Sequence, residues 1–128
     1  DELVMLPQLD TLGCHLFWQL LNEEVTMLDA WGQTVVEAAR NNKKRSQLWL
    51  QNFNLDEQGE QALEPSFARL LNADPDEVAC YYYWRNNSNP THVWQTTKKL
   101  LRHIPRRQLY WQSTMPSIPV SPIPVSDN

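Results

Sequence analysis

The chain has 128 residues, 15 acidic and 11 basic, with 6 Trp, 9 Pro, 3 Gly, 2 Cys and a net charge of −4. That length suits one domain that buries a core without staples, and two cysteines are too few for a disulfide framework or a four-cysteine zinc site. The mild acidity excludes coating nucleic acid by bulk charge, and no apolar run approaches the roughly 18–20 residues of a membrane span, so no membrane contact is expected.

The first residues carry no basic stretch, and Pro7 interrupts a short apolar patch, unlike a signal peptide. Leucine supplies 17 residues, whereas Val and Ile together supply 6 between positions 5 and 115. Strands favour β-branched side chains and tight hairpins favour glycine. The balance therefore predicts an all-α domain.

Residues 8 to 40 carry the strongest helical pattern. Leu9, Leu12, Leu16 and Leu20 recur at spacings of three and four, and Leu28, Trp31, Val35 and Ala38 resume it. One long or kinked N-terminal helix is predicted, about 50 Å long if unbroken, with Asn22 as the place for a break. Asn41-Asn42 ends it, because Asn tolerates a left-handed cap. A second helix over 43–53 would bury Leu48, Trp49 and Phe53. Asn54 and Glu57 stand at capping-box spacing for a short helix.

Pro65 opens a helix with Phe67, Leu70 and Leu71. Asp74-Pro75-Asp76-Glu77 has the form of a helix start, with Asp as cap and Pro at the first helical position, so a helix is predicted to about Trp84. Residues 85–89 form a loop. Asn89-Pro90 opens a last helix ending before Pro105. Prolines at 116, 119, 122 and 124 exclude helix beyond that point. Residues 1–115 are thus read as a single helical domain, and 116–128 as an extended or disordered Pro-rich tail.

Charge runs in blocks. Residues 1–39 hold 7 acids and no base, 40–50 hold 4 bases and no acid, 51–80 hold 7 acids and one base, and 81–115 hold 6 bases and no acid. Such blocks pair within the fold or present opposed faces to partners.

Signatures of catalysis are missing. There is no nucleophile elbow, P-loop, dinucleotide-binding glycine pattern, HExxH or CxxC. Cys14 and His15 are adjacent, and neighbours on a helix point about 100° apart, so they form no nucleophile–base pair. No enzyme, no cofactor and no metal site is expected. Asn86-Asn87-Ser88 fits a glycosylation sequon and is read as a polar turn. A reduced, cytoplasmic setting is expected.

Tyr81-Tyr82-Tyr83-Trp84 places four aromatics on every face of the predicted helix. An exposed member would anchor a protein partner, since Tyr and Trp give much contact area at low entropic cost. The candidate partner-binding residues are Tyr81, Tyr82, Trp84, Arg85, Tyr110 and Trp111. The long N-terminal helix also offers a Leu/Trp face for a homodimer.

Ala68, Asn72 and Val78 occupy the spacing of the Ala, turn Gly and buried Val in a Cro/cI-type helix-turn-helix. Residues 66–101 resemble that family, and Pro90 lies where such repressors start their next helix. The resemblance implies an all-α fold with a helix in the DNA major groove, although Pro75, Asp76 and Glu77 stand where bases would be read. It implies phosphate contacts from Arg85, Lys98, Lys99, Arg102, Arg106 and Arg107. The leading expectation is a non-enzymatic interaction module, an adaptor, assembly factor or inhibitor that binds a partner protein. A helix-turn-helix DNA-binding regulator is the alternative.

Overall fold

A computed structural model describes residues 2–80 and 86–104. It shows an α/β fold, which overturns the all-α, helical-bundle expectation. A short 3-10 turn at Leu3–Met5 precedes strand β1 (Thr11–Leu16), helix α1 (Met27–Asn41), strand β2 (Arg45–Leu50), helices α2 (Glu57–Gln61) and α3 (Leu63–Asn72), strand β3 (Glu77–Cys80) and helix α4 (Pro90–Arg102). The three strands form one parallel sheet in the order β1-β2-β3. Thr11 registers with Arg45 and Leu16 with Leu50; Gln47 registers with Glu77 and Leu50 with Cys80.

Both crossovers step the same way along the sheet. Right-handed connections then place α1 and the α2–α3 pair on one face. In keeping with this, α1 packs on β1, β2 and α3, while α3 packs on β2 and α4. The side chains of the strands alternate with period two. Leu12, Cys14, Leu16, Ser46, Leu48, Leu50, Val78 and Cys80 occupy the helix side in this register. Thr11, Gly13, His15, Arg45, Gln47, Trp49, Glu77 and Ala79 occupy the other. The core lies between sheet and helices, with Leu28, Val36, Leu63, Phe67, Leu70, Val93 and Leu100 buried against Leu16, Leu48, Leu50 and Val78.

The predicted long N-terminal helix is therefore half strand. Leu12 and Leu16 belong to β1, and the chain turns at Asn22, whose φ is 57°. Only residues 27–41 are helical, so the helix proposed for a homodimer is not formed. Gly32 lets α1 pack closely on the end of α3 and on β2: a Cβ there would meet Ala73 Cβ at 3.1 Å and Leu48 Cδ1 at 3.4 Å. The predicted second helix over 43–53 contains strand β2 instead.

The helix predicted from Asp74 is replaced by β3. Asp74 has φ 55°, so it ends α3 rather than capping a new helix. The Asp76 carboxylate accepts from the Ser46 N–H at 2.8 Å and its hydroxyl at 3.0 Å, which ties the start of β3 to β2. This removes the second helix of the helix-turn-helix that the resemblance implies. The short helix at α2 forms with Asp56 as its cap. At α4, the Asn89 carboxamide oxygen accepts from the His92 N–H, and Pro90 sits in the first turn, as the sequence predicts. The predicted tail at 116–128 lies outside the described residues.

Candidate interaction surface

Tyr81, Tyr82, Trp84, Arg85, Arg106, Arg107, Tyr110 and Trp111 lie outside the described residues. The remaining basic candidates sit on α4. Lys98, Lys99 and Arg102 are exposed, while Val93, Thr97 and Leu100 face the core. Lys98 Nζ lies 5.5 Å from the centre of the Trp94 ring. Lys99 and Arg102 occupy the last turn, where positive charge complements the helix dipole. The α4 bases thus form a solvated helix face, away from the sheet.

On the helix-free side of the sheet, the side chains connect in a line. Arg45 Nη2 lies 2.7 Å from Glu77 Oε1. The Gln47 amide donates to Glu77 Oε2 at 2.8 Å, and Trp49 Nε1 donates to Gln47 Oε1 at 2.6 Å. The His15 ring then meets Trp49 edge-on and stacks on Phe17, which meets Phe53 edge-on, each with centroids 5.0 Å apart. This line links side chains across all three strands, with Gln47 and Glu77 buried and its aromatic end partly exposed.

Cys14 and His15 alternate to opposite sides of β1, so their rings and sulfur do not meet. Burial pushes the Cys14 thiol up, away from thiolate, which is the reverse of an activated nucleophile. Among the described residues, no three His, Cys, Asp or Glu side chains are placed to hold a metal ion. Open α/β sheets bind ligands where the strand order reverses direction. Among the described residues, the β1-β2-β3 order contains no such reversal. No described helix is long and apolar enough to cross a membrane.

The edge strand β1 and helix α1 border a mostly apolar groove of about 310 Å³, lined by Cys14, Leu16, Leu21, Trp31 and Val35 together with His15 and Thr34. The loop leaving β1 shapes it. Gln51 is 1% exposed, and its Oε1 accepts from the N–H groups of Gln19 and Leu20 at 3.1 and 3.4 Å. That anchor holds Trp18 in the core and turns its neighbours out. Leu20 is 52% exposed, Leu21 62% and Met27 36%. Of these, the sequence pattern places Leu20 on a helix face. Its spacing carries no sign of exposure, because the buried Leu16 and the exposed Leu20 look alike at i and i+4.

No protein-family model, curated protein or solved structure matches the chain.

Proposed function

We propose that the protein is a non-enzymatic interaction module that works by holding a partner protein. The observation that supports this is the exposure of Leu20, Leu21 and Met27, of which Leu21 lines the groove beside β1. An anchored loop that turns leucines to solvent costs hydration free energy, and a partner that covers them recovers it. The same place in many α/β enzymes carries polar catalytic groups at the carboxyl ends of the strands. Here it carries Leu and Trp. The reading includes a reducing, cytoplasmic setting, supported by two thiols that share no disulfide.

The test compares the full chain with a Leu20→Glu, Leu21→Glu variant, both immobilised and exposed to lysate of the source organism. A partner retained by the wild type and lost by the variant, at matched thermal midpoints, is the expected result. Retention of the same proteins by both chains removes this loop from the binding surface.

A further inference from the structure

Resting on the interaction reading, we infer that the outer edge of β1 takes an extended, basic peptide of a partner protein as an added strand. Its alternate apolar side chains enter the groove beside Trp31 and Val35.

The backbone supports this first. The Arg45 N–H donates to the Asp10 carbonyl at 2.9 Å, within the register that pairs Thr11 with Arg45. In a parallel ladder this turns the even-numbered residues of β1 toward β2. Thr11 and Gly13 then direct their N–H and C=O groups to the outer edge, where no strand pairs among the described residues.

The sequence of β1 supports it next. Natural edge strands are blunted by lysine, proline or bulges. Thr-Leu-Gly-Cys-His-Leu has no Asp, Glu, Lys, Arg or Pro, and pairs with β2 without interruption. A strand added here would send every second side chain to the helix side of the sheet. The groove lined by Cys14, Leu21, Trp31 and Val35 lies on that side.

Charge selects the occupant. Asp10 precedes β1, Glu23 and Glu24 follow it in the loop, and Glu37 lies on α1. All four are exposed and make no ion pair among the described residues. The first 39 residues contain no base. Lys or Arg at the peptide end beyond Leu16 would meet Glu23 and Glu24, whereas at the start of β1 Asp10 and Glu37 are accompanied by Lys44 and Arg45. A second copy laid along the same edge would bring two acidic rims together, which is unfavourable.

The probe is a fluorescent synthetic peptide with a Val-Thr-Val-Thr-Val centre and two lysines at each end, titrated with the full chain. Its counterpart carries glutamates at the ends. Saturable binding of the basic peptide, weakened at least about tenfold in the acidic one and by added salt, is the expected result. Gly13→Pro removes an outer-edge N–H that β2 does not use, and an edge strand accepts such a proline. It should weaken binding at least about tenfold at an unchanged circular dichroism spectrum. If that variant unfolds, the surface variant Glu23→Lys, Glu24→Lys gives the reading instead, as a loss of preference for the basic peptide. No binding by the folded full chain overturns the inference, as does equal binding of both peptides. A dimer abolished by Gly13→Pro, with no peptide bound, assigns the edge to a second copy and also overturns it. Lysate partners that still depend on Leu20 and Leu21 would leave the interaction module standing while this docking mode fell.

Discussion

The Gln47 side chain donates to the Glu77 carboxylate at 2.8 Å across adjacent strands, and both residues are buried. A buried carboxylate needs partners, because each one lost leaves it desolvated without return. Glu77 has two here, Gln47 and Arg45. They are not equivalent, since the Arg45 side chain is 54% exposed and water can take its place. Gln47→Ala is expected to cost about 1–3 kcal/mol in urea unfolding, and Arg45→Ala about 1 kcal/mol or less. The reverse order would mean that the exposed ion pair, not the buried amide, holds β3 to β2.

These strands were hidden from the sequence for physical reasons. Short apolar runs fit both periods, and Leu9, Leu12, Leu16 and Leu20 satisfy the helical one by coincidence of spacing. Burial beneath α1 and α3 outweighs the weak strand propensity of leucine in Leu48 and Leu50. The scarcity of glycine correctly disfavours hairpins, yet a parallel sheet has none, because helices make its connections. The turns use Asn22, Lys43, Asn54, Asp74 and Asn86 at positive φ instead of glycine. Asp74-Pro75 has the chemistry of a cap but the backbone of a turn. Where local chemistry alone decides, as at Asn89-Pro90, sequence and structure agree. The interaction surface was less legible, because exposure of Leu21 depends on Gln51, which is distant in the chain.

Leucines should divide sharply by position. Leu48 lies at the centre of β2 with 0% exposure, and Leu21 is 62% exposed. Leu48→Ala should cost about 2–5 kcal/mol, through lost burial and the cavity left behind. Leu21→Ala should change stability by no more than about 0.5 kcal/mol. Chemical denaturation of the two variants measures both. A large cost at Leu21 would place it inside the fold and remove it from the docking surface.

Asp56 predicts a pH dependence. Its Oδ1 accepts the Gly59 N–H at 2.7 Å, and that bond, followed by one with the Gln19 side chain, holds its carboxyl below the ordinary 3.8. Folding thus favours the carboxylate. The contribution is fully present above the ordinary value and is lost as pH falls through the lower folded one. Asp56→Asn keeps an acceptor oxygen but removes the titration. The wild type should melt above the variant near neutral pH, and the gap should close on acidification below about pH 4. A gap independent of pH would separate Asp56 from the acid sensitivity of α2.

The two thiols report on opposite edges of the sheet. Cys14 borders the groove on β1, whereas burial pushes the Cys80 thiol on β3 up to about 12. So high a value keeps the thiol protonated at pH 8, and the thiolate is the reacting species. Iodoacetamide should therefore modify Cys14 ahead of Cys80 in the folded chain, as mass spectrometry of the digested chain would show. With β2 between them, their Cα atoms are at least about 10 Å apart, beyond the reach of a disulfide. Mild oxidant should then leave both unlinked within one folded chain. The basic peptide probe should slow alkylation of Cys14, because its side chains would fill the groove that this sulfur lines. Rapid modification of Cys80 in the folded chain, or a Cys14–Cys80 link, would break the strand order from which the β1 edge was derived.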